Sequence, residues 1–166
     1  VWRKPHPFYH MIKTIKGDLV QIAKHTRIFD IYIHGANCHA VMGAGIARQI
    51  AQTFPEVYKV DKESKLKPEE KLGKFTYTKF KNDINARIYF INAYTQFGFG
   101  SIINVDYNAL REALEGVRTM FGGCGMKFAL PMIGAGLGGG NWQKIKGIIE
   151  DVFKQEDVTV IEYDSN

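Results

Sequence analysis

Apolar positions along this chain fall into two spacings. Met11–Lys16 and Ile28–His34 are short β-branched runs with the character of strands. From Gly43 to Phe54 the apolar residues Ile46, Ala47, Ile50, Ala51 and Phe54 recur at helical spacing, and Pro55 ends the run because its ring cannot continue a helix. A lysine-rich connection follows. Lys74–Phe80 and Arg87–Ala93 flank the polar segment KNDINA, which predicts a hairpin and hence an antiparallel pair. Asp106 is placed to cap a helix with Leu110, Ala113, Leu114 and Val117 on its core face, and the glycines of FGGCG end it. Lys127–Met132 reads as a buried strand. Asn141 caps a last helix with Ile145, Ile148, Ile149 and Val152 on one face, and Val158–Tyr163 closes the chain as a strand. The order β-β-α-β-β-α-β-α-β predicts an α/β domain with a mixed sheet and helices on both faces.

Composition narrows the class. The 166 residues are 45% hydrophobic and 23% charged, which is globular and suits one domain. No apolar run approaches the roughly 20 residues that span a bilayer, so no membrane partner is expected. Two cysteines, Cys38 and Cys124, make no disulfide framework, and a cytoplasmic setting is expected. The five histidines are scattered, so neither a metal nor another cofactor is expected. The net charge is +5. Residues 1–10 (VWRKPHPFYH) lack periodicity and read as a vector-derived extension, leaving a domain over 11–166. Between Lys59 and Lys81 eight lysines face four acids, a segment read as solvated surface.

The glycines carry the chemical signal. The strand ending at His34 runs into GANCHAVMGAGIA and a helix; the strand ending at Met132 runs into IGAGLGGGNW and another helix. Strand-to-helix loops of an open α/β sheet gather where ligands bind. Glycine admits close backbone approach, and a helix start offers unpaired N–H groups. Two such loops predict a cradle for a diphosphate. No G-x-x-x-x-G-K-[ST] is present, which argues against a P-loop triphosphatase.

From Lys16 to Tyr163 the chain resembles a macrodomain, the family that binds ADP-ribose. The resemblance is carried by GDL at Gly17–Leu19, NCHAVMGAGIA at Asn37–Ala47 and LPMIGAGLGGGNW at Leu130–Trp142, in that order. It implies a three-layer α/β/α fold with a mixed central sheet of about six strands. The pattern is most similar to the branch holding ADP-ribose-1''-phosphate phosphatases and the DNA- or glutamate-directed ADP-ribosyl hydrolases. The N-A-A-N motif of the aspartate/glutamate-directed hydrolases is missing.

The resemblance also implies roles. Asp18 would accept the adenine exocyclic amine, with the Leu19 amide beside it, although a plain helix cap explains Asp18 as well. Asn37 would bond the distal ribose hydroxyls. Backbone at Gly43, Ala44, Gly45 and Ile46, and at Gly134, Ala135, Gly136, Leu137 and Gly138, would hold the diphosphate. Tyr163, Phe97 and Phe99 would wall the ribose or adenine, while Trp142 reads as core.

Gln96 stands at or near the lysine on which the related glycohydrolases depend, and glutamine is neither a general base nor a Schiff-base former. Gly138 stands where some relatives carry a catalytic aspartate. A phosphatase acting on ADP-ribose-1''-phosphate needs less: donors, a placed water and a proton-transfer group, which Asn37 and His39 can supply. Cys38 has no basic partner to make it a nucleophile. The expected ligand is thus ADP-ribose or ADP-ribose-1''-phosphate. Removal of ADP-ribose from protein or nucleic acid, and non-catalytic reading of ADP-ribose, are the alternatives.

Overall fold

Near-continuous apolar character over Ile31–Asn37 and Arg87–Gln96 is the mark of strands covered on both faces, and these two pair at the heart of the sheet. The computed structural model describes residues 12–100 and 105–164. The expected extension over 1–10, and Met11 of the expected first strand, lie outside the described residues. Six strands are present: β1 (Lys13–Gly17), β2 (Ile31–Asn37), β3 (Phe75–Lys81), β4 (Arg87–Gln96), β5 (Lys127–Leu130) and β6 (Asp157–Tyr163). They lie in the order β1-β6-β5-β2-β4-β3, parallel throughout except for the β3–β4 hairpin. The hairpin falls where KNDINA predicts it, with Asn85 at φ 61 in the turn.

Helices α1 (Leu19–His25), α2 (Gly45–Thr53) and α3 (Pro55–Lys62) precede the hairpin together with the single turn α4 (Pro68–Lys71); α5 (Tyr107–Phe121) and α6 (Trp142–Val152) follow it. One face of the sheet packs Ile31, Ile33 and Ile91 against Leu110 and Leu114 of α5 and Ile145 and Ile149 of α6. The other packs Tyr32, Ile88 and Phe90 against Leu19 of α1, Ile50 of α2 and Val57 of α3. The result is the expected three-layer α/β/α arrangement. Asp106 and Asn141 cap α5 and α6 as predicted, accepting from the amides of Ala109 and Lys144. The expected strand Lys127–Met132 ends earlier, at Leu130.

Helices α1, α3 and α4 have no counterpart in the periodicity. Pro55 ends α2 and also opens α3, where the first helical position needs no N–H. The lysine-rich connection is therefore not wholly solvated. Val57 and Asp61 turn inward from α3, and Lys71 of α4 is only 4% exposed. Its ammonium bonds the Asp61 carboxylate at 3.2 Å and the Asp61 carbonyl at 3.3 Å, and lies 4.9 Å from the Tyr94 ring centroid.

This pair ends a chain of buried hydrogen bonds that all run one way. His34, Asn92 and Thr76 stand in register across β2, β4 and β3. His34 Nε2 donates to Asn92 Oδ1 at 2.5 Å, and Asn92 Nδ2 donates to Thr76 Oγ1 at 3.1 Å. The Thr76 hydroxyl meets Tyr94 Oη at 2.9 Å, and Tyr94 Oη donates to Asp61 Oδ1 at 2.6 Å. Burial, with the Asp61 carboxylate, pushes the Tyr94 hydroxyl far up, so it stays a donor. Each donor polarises the next along the chain, although Nδ1 of His34 at one end and Oδ2 of Asp61 at the other are buried without a hydrogen-bond partner among the described residues.

Burial holds the His34 imidazole below its ordinary value, outweighing the opposing hydrogen bond with Asn92. The unfolded chain therefore binds a proton near pH ~6.5 that the folded chain resists. The stability this contributes is complete above that pH and is lost as pH falls toward the depressed folded value. Melting temperature should drop more steeply from about pH 7 to about pH 5 in the wild type than in His34→Gln, which keeps a neutral donor toward Asn92. Carboxylates act alike in both proteins, so parallel slopes would contradict the assignment.

Candidate functional site

The first glycine-containing loop leaves β2 at Asn37, where a register shift between Ala36 and Asn37 sets Asn37 opposite Gln96 of β4. The Asn37 amide is committed to its own loop. Its Nδ2 donates to Val41 O at 2.7 Å, and its Oδ1 accepts from the amides of His39 (2.9 Å) and Val41 (3.3 Å). An asparagine suits the position because it donates and accepts at once. His39 is thereby turned out to solvent, edge-on to Phe97 and Phe99 at centroid distances of 4.8 and 5.8 Å. Gln96 Nε2 donates to Gly98 O at 3.0 Å. Asn37, His39 and Gln96 thus meet at the ends of β2 and β4.

Cys38 points the other way, buried with Ala36, Tyr94 and Leu72. Burial pushes its thiol up to about 11, which leaves it protonated at neutral pH. A nucleophilic role for Cys38 has no support.

Beyond Gly43, the N-cap of α2 is Ala44, which has no side chain to accept from the first amides, and the first turn holds no acid. Four N–H groups open every α-helix without an intrahelical acceptor. Here no capping side chain takes any of them. Gly45 sits at φ 57, a conformation glycine adopts without strain, and a Cβ on it would lie 3.1 Å from Leu137 Cδ1 of the second loop. The two glycine loops touch at this point, with Leu137 itself 71% exposed.

The second loop is held by its own backbone. The Gly140 amide donates to Gly134 O at 2.8 Å and Gly139 to Gly136 O at 3.1 Å, while Gly138 O accepts from Val105 at 2.9 Å. A Cβ at Gly138 would stand 2.8 Å from Gly134 O and 3.2 Å from Gly134 C and Cα, against the backbone of that one residue. In this loop conformation the position has no room for the aspartate some relatives of the resemblance carry.

Between the loops lies a cleft of about 540 Å³. Of the residues expected from the sequence, Asp18, Leu19, Gly45, Ile46, Ala135, Gly136 and Tyr163 line it. Gly43, Ala44, Gly134, Leu137 and Gly138 shape the loops without lining it. Asn37, His39 and Gln96 cluster around the root of the first loop instead, as do Phe97 and Phe99. Asp18 is the cap of α1. Its Oδ1 caps α1, accepting from Val20 (3.0 Å) and Gln21 (3.2 Å), while its other oxygen has no partner among the described residues. Tyr163 is 66% exposed at the end of β6. Trp142 packs partly buried against the α5–α6 side of the core. Gln49 also lines the cleft and was missed from the sequence; its signal is the spacing of four from Gly45, which puts both on one face of α2. Among the described residues no group of three His, Cys, Asp or Glu side chains is arranged to hold a metal, and no helix is long and apolar enough to cross a membrane.

No family model matches the chain. It is 31% identical over 158 residues to the uncharacterized 17.5 kDa protein of the tk-vs intergenic region of Enterobacteria phage T4, covering 93% of this chain and 97% of that one. The two belong to one family. Among solved structures, the macrodomain of Mycobacterium tuberculosis DarG matches with a TM-score of 0.71 at 22% identity, over 94% of this chain and 99% of that one. Thermosipho africanus DarTG in complex with ADP-ribose matches at TM-score 0.69 and 20% identity, over 92% of this chain and 41% of that one. The Oceanobacillus iheyensis macrodomain with ADP matches at 0.66 and 18%, over 92% and 83%. The chain has the macrodomain fold.

In this fold the second loop separates two glycines that look alike in sequence. Gly136 has open space where a Cβ would go, whereas Gly138 has backbone within 2.8 Å. Gly138→Ala should destabilise the protein by about 1–3 kcal/mol, the usual cost of overpacking, and Gly136→Ala by much less. Denaturant unfolding of both variants checks this, and equal losses would contradict the loop geometry.

Proposed function

We propose that this macrodomain binds ADP-ribose in the cleft and hydrolyses ADP-ribose-1''-phosphate to ADP-ribose and phosphate. The observation that carries the reading is the uncapped start of α2, set against the glycine loop that follows β5. Backbone N–H groups at a helix start favour an anion, and the helix dipole adds to them. A diphosphate spanning Gly45–Ile46 and Ala135–Gly136 leaves its nucleoside to run toward Asp18 and Tyr163. The unpartnered oxygen of Asp18 suits an exocyclic amine. The ADP-ribose bound by the Thermosipho protein and the ADP bound by the Oceanobacillus macrodomain support the same ligand class.

The distal ribose then extends past the α2 start toward Asn37 and His39. Water attacks phosphorus, the bond from phosphorus to the 1''-oxygen breaks, and that oxygen takes a proton as ADP-ribose leaves. His39, an exposed imidazole that can both donate and accept a proton, is the proton-transfer group in this reading. Asn37 acts through it, since its amide fixes the His39 backbone. Gln96 can orient a ligand but cannot transfer a proton, and Gly138 admits no carboxylate. Both weigh against removal of ADP-ribose from protein or nucleic acid.

Calorimetry should show ADP-ribose binding with little affinity for AMP, because AMP reaches only one side of the diphosphate cradle. Asp18→Ala should weaken ADP-ribose by about 1.5–3 kcal/mol, the range for a hydrogen bond to a charged group. Single-turnover phosphate release should fall about 10²–10⁴-fold in His39→Ala, with ADP-ribose affinity retained. Equal affinity for AMP and ADP-ribose would overturn the binding reading. Binding without phosphate release by the wild type would make the protein a reader of ADP-ribose.

A further inference from the structure

Gln49 stands on the cleft wall with no hydrogen bond to its side chain among the described residues. Gly45, Ile46 and Gln49 of α2 all line the cleft, and the side chain of Gln49 is exposed and makes no hydrogen bond among the described residues. Gln49 lies one turn, about 6 Å, along the helix from the amides at Gly45, on the same face. The wall on the nucleoside side of those amides carries Asp18, Ile161 and Tyr163. A nucleoside leaving the diphosphate in that direction therefore passes the polar side chains of Asp18 and Gln49, with Ile161, Glu162 and Tyr163 also on the lining.

The two side chains differ in what they can read. The carboxylate of Asp18 only accepts, so it can take one proton of an exocyclic amine and nothing else on the base. Adenine presents two N6 protons and, next to them, the N7 acceptor. An amide that accepts through Oε1 and donates through Nε2 matches the N6/N7 pair, the same bidentate pairing by which glutamine reads adenine in nucleic acids. We propose that Gln49 is a specificity-determining residue for adenine, with Oε1 accepting the N6 proton that Asp18 leaves and Nε2 donating to N7. The inference rests on the ADP-ribose reading above and deepens it, since it assigns the choice of base to a residue on the helix that also holds the diphosphate.

The test uses ADP-ribose and its 7-deazaadenine counterpart, which keeps N6 and replaces only N7 by a C–H. By calorimetry the wild type should bind the deaza compound about three- to tenfold more weakly, the value of one neutral hydrogen bond. Gln49→Ala, which loses both bonds, should weaken ADP-ribose by at least that factor and bind the two compounds equally. Gln49→Glu, which accepts but does not donate, should also lose the discrimination. Melting temperatures should stay at the wild-type value, because the side chain is exposed. A merely structural role would leave the ratio between the two ligands unchanged. A wild type that binds ADP-ribose but does not discriminate, or a Gln49→Ala variant that keeps the wild-type ratio, overturns the inference and leaves the binding reading standing. A wild type that binds neither compound overturns both.

Discussion

Because β1, β6, β5, β2 and β4 all run parallel, the chain leaves the sheet at one edge five times. Asp18 follows the end of β1, the first glycine loop follows β2, Phe97 follows β4, the second glycine loop follows β5, and Tyr163 ends β6. Residues scattered over most of the sequence are brought to one rim by this constraint alone. Parallel strands demand a crossover between them, and a right-handed crossover puts each helix start on the same rim. The position of the α2 start beside the cleft is thus a consequence of topology, and its alanine cap gives the first amides no side-chain acceptor. Only β3 runs the other way, and it contributes nothing to the cleft lining.

A second demand follows from the first. Strands covered on both faces leave little place for polar groups, yet β2 and β4 carry His34, Asn92 and Tyr94 close to the site end of the sheet. They are tolerated because the hydrogen bonds continue through Thr76 to Asp61 and Lys71 without a break. Removing one partner of such a buried ion pair typically costs about 3–5 kcal/mol, so the pair fixes α3 and α4 in place. Leu72, directly after α4, packs on Ala36, Cys38 and Tyr94, at the root of the first loop. The segment that looks like solvated surface in sequence is in this way part of the support beneath the site.

What was legible in the sequence is what has a period or a motif. The six strands, the helices α2, α5 and α6, and the two glycine loops are long or distinctive enough to announce themselves. Helix α1, seven residues long, falls below the length at which spacing speaks, and α3 and α4 are hidden by lysines whose burial depends on a tertiary partner. Lys71 differs from its neighbours through Asp61 and the Tyr94 ring, both distant in sequence. Asn37 stands out by its motif, but its side-chain partners are loop backbone that no spacing reveals. Gln49 was overlooked because a polar residue on an amphipathic helix reads as solvent-facing until a cleft is seen beside it. Gly138 and Gly136 look equivalent in sequence and are not, since the distinction lies in the fold of the loop.

The central claim is that amides at the start of α2 and in the second loop together hold a diphosphate. Amide chemical-shift mapping during titration with ADP-ribose tests it directly. The amides of Gly45, Ile46, Ala135 and Gly136 should move together and saturate at one ligand concentration, while those of β3 stay in place. Saturable binding that moves other amides and leaves these four unchanged would contradict the account.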